Sequence, residues 1–370
     1  MSNIKQCSYT LLRAGLWEQS VRLLPFEPVD FEALFELADQ QSVVGLIAAG
    51  LEQVEDRKVT KPEALPFLKK VYSLESRNQG INSFIEELYG KMNEAGIQSV
   101  LVKGQGIGQC YERPQWRAPG DVDLLLDAEN YEKAKSFLSP LACSVDKEMD
   151  ESKHLGMKFD PWKLELHGTL HGHISKEADA VVDQVQDEMF TRGSFRVWKN
   201  GATDVLLPDA DSDVIFVFSH IQQHFFRGGI GLRQICDWVR LLWTYRDSID
   251  RSLLDRRIRE MKMMTEWKAF AAFAVDFLGM PAEAMPLYDA STRWKRKARR
   301  ISAFILRVGN FGHNRDGSIY TKYPYVVYKT ISLGRHIGDF FEHLFIFPLD
   351  SLRVFGRMIT GGVKAVARGE

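Results

Sequence analysis

Two aspartates, Asp121 and Asp123, stand two residues apart at the head of an apolar run, GDVDLLL, and Glu165 sits among leucines in WKLELHG further on. Successive strand residues point to opposite faces. Asp121 and Asp123 therefore share a face that Val122 does not, and Lys163, Glu165 and His167 share one opposite Leu164 and Leu166. Carboxylates held side by side repel unless a cation lies between them, and an all-oxygen set is what Mg²⁺ accepts. If the two strands are neighbours in one sheet, Asp121, Asp123 and Glu165 meet. Two divalent ions there could clamp the attacking and leaving oxygens of an in-line displacement at phosphorus. Taken alone, the D-x-D pair reads first as capping aspartates that face water.

The glycines ahead of the aspartates, GQGIGQ from Gly104, match neither the dinucleotide fingerprint, which needs a glycine where Gln109 stands, nor the P-loop, in which the lysine follows the glycines. What they offer is a strand ending at Lys103-Gly104 and a helix start whose N–H groups, with the lysine, suit an anion. Taken alone, the loop reads first as a plain strand-to-helix turn. His220 and His224 are spaced i, i+4 on one predicted helix, and HGTLHGH adds His167, His171 and His173. No glutamate follows His220, so the metalloprotease motif fails, leaving a structural zinc or, preferably, histidines that line a cleft or bond within the fold. Asp237 is placed to orient one of them through its second ring nitrogen.

These residues need a scaffold, and the periodicity supplies one. Residues 1–95 read as helices: DFEALFELADQQSVVGLIAAGLEQV is apolar at helical spacing with Asp30 as N-cap, and a second pattern ends at Gly96. Residues 96–208 change period, with strands at IQSVLV and DVDLLL, a helix at ENYEKAKSFLS, one or two strands in MKFDPWKLELHG and a hairpin turning at Asn200-Gly201. Helical patterns return over 209–290 and again over 291–370. The expected class is α+β, a small mixed-sheet core flanked by helical regions.

The chain has 370 residues, enough for more than one packed core, with hydrophobic and charged content typical of a folded protein. Its four cysteines are scattered, no signal peptide is apparent, and no apolar run approaches the roughly 18 residues that cross a bilayer. These features point to the cytoplasm. Charge is uneven. Residues 291–370 carry 15 Lys and Arg against 5 Asp and Glu, although the whole chain is at −1. The run RWKRKARR has few aromatics to stack bases, so a specific nucleic acid is not expected. Joined to the phenylalanine-rich tail from Gly338, it could lie on an anionic membrane face, but packing of the tail against the helical body is the stronger reading.

In combination, VLVKGQGIGQCYERPQWRAPGDVDLLL resembles the uncharacterised bacterial nucleotidyltransferases of the DNA polymerase β-type superfamily, a family often linked to polysaccharide biosynthesis. The resemblance rests on Lys103-Gly104, Tyr111, Pro114, Arg117, Asp121-Val122-Asp123, Glu165-Leu166-His167, the pair His220 and His224, and LRQICDW with Asp237. It implies that Asp121, Asp123 and Glu165 are catalytic and hold Mg²⁺ or Mn²⁺. It implies further that Lys103, Gly104 and Arg117 meet an NTP, and that His167, His220, His224 and Asp237 line the cleft. The implied reaction attaches a nucleoside monophosphate to an acceptor hydroxyl and releases pyrophosphate. Gln105 stands where the superfamily has a serine, which keeps open a silent nucleotide- or partner-binding module on the same fold.

Overall fold

The computed structural model of the chain describes residues 2–149, 153–310 and 325–367. Four helices come first: α1 (Asn3–Trp17), α2 (Phe31–Gln40), α3 (Val44–Glu52) and the long α4 (Lys61–Glu94). The Asp30 carboxylate accepts from the Ala33 N–H at 3.0 Å, the expected cap of α2. At the end of α4 the Ile97 N–H reaches back to the Met92 carbonyl, with Gly96 in the left-handed region. α1 and α3 cross so closely that a Cβ on Gly15 would lie 1.8 Å from the Leu46 carbonyl oxygen; only glycine fits there.

The strands β1 (Val100–Val102), β2 (Val122–Leu125), β3 (Ser144–Val145), β4 (His154–Phe159) and β5 (Trp162–His167) form one sheet in the order β1-β2-β5-β4-β3. β2 and β5 run parallel, and every other pair is antiparallel. A parallel pair needs a crossover, and this one contains helix α6 (Ala128–Leu138), the expected helix after the second strand, followed by β3 and β4. The short α5 (Gly104–Gly108) follows β1. The expected hairpin is β6 (Phe195–Asn200) with β7 (Thr203–Pro208), forming a separate two-stranded sheet; Asn200 still pairs with Thr203, so the turn itself is Gly201-Ala202.

The short strand β3 escaped the sequence reading, as did a longer element, the helix α7 (Lys176–Arg192). Its signal was present. Ser175 caps the Ala178 N–H at 3.0 Å, and Ala178, Val181, Val182, Val185 and Met189 form a buried face at helical spacing. The remaining helices are α8 (Ala210–Arg227), α9 (Leu232–Thr244), α10 (Arg251–Glu260), α11 (Met264–Leu278), α12 (Thr292–Val308), α13 (Tyr325–Ile346) and α14 (Pro348–Ala367).

Two apolar cores divide at the sheet. Leu101, Val122, Leu124, Leu164 and Leu166 pack with Ile81, Ile85 and Met92 of α4 and with Tyr131 and Leu138 of α6. Val100, Val102 and Leu125 point the other way, into a larger core shared by α1–α3 and the helices from α7 onward. Alternation along β2 therefore turns Asp123 to the side of Leu125, toward the helices. The basic run forms one face of α12: Trp294, Ala298, Ile301 and Ile305 are buried, while Arg293, Arg296, Arg299 and Arg300 are exposed. The phenylalanine-rich tail continues into α13 and α14, and from residue 368 it lies outside the described residues.

Candidate functional site

The parallel register of β2 and β5 places Asp123 directly beside Glu165. Both stand on the helix-facing side of the sheet, where α8 and α9 leave a cleft. Lys103 ends β1 with φ +59°, a conformation that a residue with a side chain rarely adopts, and Gly104 follows at φ +38°. That reversal brings the Lys103 Nζ within 3.1 Å of Asp123 Oδ1. His167, two residues after Glu165, approaches the same oxygen with Nε2 at 2.9 Å. Burial alone would raise Asp123, but the Lys103 charge and the His167 bond overcome it and hold the carboxyl well below its usual range.

Glu165 is similarly surrounded. His154 Nε2 lies 3.0 Å from Oε2, and Lys163 Nζ lies 2.5 Å from Oε1. Burial opposes ionisation and the Asp123 charge adds to that opposition, yet these contacts hold the pKa down at about 2. Asp121 sits just ahead of β2, its Oδ2 3.7 Å from the same Lys163 Nζ. Its contact with that lysine is longer than the one Glu165 makes, and burial followed by the Glu165 charge raises its pKa. The three carboxylates thus differ in basicity. Asp121 is the strongest base.

Two hollows open on this row. One of about 480 Å³ lies between Gly104, Asp121, Asp123 and the helix α9, and one of about 790 Å³ extends past His154, His167 and Arg227; Lys103, Glu165, His220 and His224 line both. Each falls in the size range of small-molecule sites. His220 and His224 stack edge to face 4.3 Å apart on α8. Burial and the Lys103 charge push both rings down, His224 to about 4, so both are neutral at pH 7.

The profile of a family described as uncharacterised nucleotidyltransferases matches residues 27–279, more than half of the chain. The chain belongs to that nucleotidyltransferase family. Curated proteins and solved structures yield no match. The family match ends just after α11, so α12–α14 lie beyond it.

For this nucleotidyltransferase-family chain, the structure corrects one sequence expectation. Asp237 does not orient a histidine. Its Oδ1 accepts from Arg117 Nε at 2.7 Å and from the Tyr111 hydroxyl at 2.7 Å, and its Oδ2 accepts from Arg117 Nη2 at 2.8 Å. Arg117, expected as a phosphate partner, makes that buried bidentate pair and also lines the smaller hollow. A second cleft arginine is one the sequence reading passed over. Arg233, in LRQICDW on α9, bonds the Ala118 carbonyl through Nη1 at 2.8 Å, and its buried Nε has no hydrogen-bond partner among the described residues. It lines the smaller hollow beside Gly120, where an added Cβ would lie 3.5 Å from Nη1. Burial, and then Arg117, lowers it to about 10, which leaves it charged at neutral pH.

Lys163 and His154 also went unassigned, although strand alternation puts Lys163 on the Glu165 face; nothing local to His154 marks it. β4 pairs His154 with His167 across the strands, and only that register brings the imidazole to Glu165. On the far wall Gln234 Nε2 donates to Asn310 Oδ1 at 2.7 Å, and Asn310 Nδ2 reaches Ser42 Oγ at 2.9 Å, forming a polar patch that lines the smaller hollow.

Proposed function

We propose that the chain transfers a nucleoside monophosphate from an NTP to a hydroxyl of an acceptor, releasing pyrophosphate. The observation that carries this reading is the in-register parallel pair β2–β5, which aligns Asp123 with Glu165 under Lys103 at the floor of a cleft. The donor set suits divalent cations, since the Lys163 ammonium already lies against both Asp121 and Glu165, drawn by their joint charge. Asp121, Asp123 and Glu165 would hold Mg²⁺ or Mn²⁺, which when bound offsets charge on the phosphate oxygens.

The chain's own groups do the remainder. Lys103 and Arg233 face the triphosphate, and the unpaired Arg233 Nε gains an acceptor there. The Ser42, Gln234 and Asn310 patch faces the base or sugar. The acceptor oxygen bonds to the α-phosphorus, the bond to pyrophosphate breaks, and the hydroxyl proton passes to a carboxylate. The larger hollow is left for the acceptor, a sugar or glycan in the polysaccharide role that the sequence resemblance implies.

Calorimetric titration of ATP, GTP, CTP and UTP, with and without Mg²⁺, tests this reading. Mg²⁺-dependent binding of one nucleotide, lost in a folded Asp121→Ala/Asp123→Ala variant, supports it. Absence of binding to any of the four favours the silent module. A specific observation favours that second reading: the Gln105 amide donates to Asn82 Oδ1 at 2.6 Å and supplies no hydroxyl where the superfamily has a serine.

Among the described residues no helix is long and apolar enough to cross a membrane. A peripheral contact is the proposed alternative. Ile337, Phe341 and Phe345 recur every four residues on α13 and are exposed, as are Leu349 and Leu352 on α14. Arg300, from the basic face of α12, bonds the Phe345 carbonyl at 2.6 Å, which sets cations beside this apolar stripe. That pairing suits an anionic lipid surface. Co-sedimentation with phosphatidylserine vesicles, lost in Phe341→Ser/Phe345→Ser, is the expected result; equal sedimentation of both proteins rejects it.

A further inference from the structure

The histidines flanking Glu165 have a geometry that nucleotidyl transfer does not require. His154 Nε2 lies 3.0 Å and His167 Nε2 3.6 Å from one oxygen, Glu165 Oε2, and the donor atoms of all three residues fall within 4.8 Å of one another. Ligands bound at roughly 2.0–2.2 Å around a tetrahedral ion are separated by about 3.4 Å. The two measured separations bracket that value. Asp123 Oδ1, 2.9 Å from His167 Nε2, offers a fourth donor.

We propose that His154, Glu165 and His167, with Asp123 at the margin, form a mixed imidazole–carboxylate site for a borderline divalent cation such as Zn²⁺, Co²⁺ or Mn²⁺. The inference deepens the reading above through the shared Glu165 and Asp123, but it needs no nucleotide. Imidazole is a poor ligand for Mg²⁺ and a good one for these ions. Cross-strand pairing fixes the site on a rigid frame, since His154 is opposite His167 in β4 and β5 and the rings lie 4.8 Å apart. The surrounding charge also fits. Lys163 approaches Glu165 through Oε1, on the other oxygen, and its side chain is 47% exposed, so it can withdraw as a metal enters. The larger hollow borders all three residues and provides the approach.

The test is titration of the full chain with Co²⁺ in the absence of nucleotide, followed by visible d–d absorption and then by displacement with Zn²⁺. One Co²⁺ per chain is expected, with excess Mg²⁺ failing to displace it. His154→Ala weakens Co²⁺ binding at least 10-fold. His154→Gln separates ligation from structure: glutamine's amide can still donate to Glu165 and keep the fold, but it binds these metals poorly, so the same weakening is expected. Wild-type protein without a Co²⁺ band, or His154→Gln with wild-type Co²⁺ affinity, overturns the site. Mg²⁺-dependent nucleotide binding, measured on the same samples, keeps the two proposals apart. If it persists without Co²⁺ binding, only this inference falls; if Co²⁺ binds and nucleotides do not, only the transfer reading falls.

Discussion

Asp237 and Asp123 are both aspartates paired with a cation beside one cleft, and they hold that charge in different ways. Arg117 grips Asp237 through two parallel N–H···O bonds with both side chains under a tenth exposed, and Tyr111 adds a third bond. A planar fork on a carboxylate has one geometry and leaves no oxygen to exchange. Asp123 instead meets a single ammonium on a flexible stem and one imidazole. Glu165, beside it, is held by a half-exposed lysine and a second imidazole. Such partners can be displaced by a metal or a phosphate, whereas Arg117 cannot leave without stranding a buried charge. The closed pair is framework. The open row is where the proposed chemistry is placed.

The comparison can be broken most forcefully at Asp237. Asp237→Ala strands the buried Arg117 and Tyr111, and a stability loss of about 3–5 kcal/mol is expected in urea unfolding. A loss below ~1 kcal/mol would deny the pair its framework role. At the open row the pattern reverses. Asp123→Asn should abolish Mg²⁺-dependent transfer by on the order of 100-fold or more while shifting the melting temperature little. A large drop in melting temperature with activity retained would make Asp123 another structural residue.

Arg233 sharpens the contrast between two arginines on one cleft. Because Arg233 Nε is unpaired, Arg233→Ala should weaken nucleotide binding by roughly 10- to 100-fold, the worth of a charged hydrogen bond, with the fold intact. Unchanged affinity in calorimetry would remove it from the phosphate site. The smallest expected effect is on pH dependence. His224 titrates near 4 when folded against an ordinary 6.5, so the fold favours the neutral ring. Its contribution is complete above about pH 6.5 and is lost as pH falls through about 4. Glu165, at about 2, loses its contribution only at lower pH. Melting curves from pH 7 to 4 should fall, and His224→Gln should flatten the decline; an identical slope would show that His224 does not contribute.

Both regions were partly legible before any coordinates. The period-2 pattern of Asp121, Asp123 and Glu165 fixed which side chains share a face, because strand geometry is local. Helical periodicity marked α2 and α4, and the Asn200-Gly201 pair marked the hairpin to within a residue. Local physics also held the signal for α7, in Ser175 and the spaced valines, although it went unread.

What the sequence determined alone was which residues could do chemistry and which face of each element they occupy. What only the tertiary structure decided was who pairs with whom. Arg117 and Asp237 are 120 residues apart and meet because α9 packs beside the loop ahead of β2. His154 reaches Glu165 only through the antiparallel register of β4 and β5. A cation's role depends on whether its partner's lone pairs are already taken, and that is set by long-range packing. Lys103, Arg117 and Arg233 look alike as charges in the sequence; in the fold one is bound loosely, one is locked and one has a donor to spare.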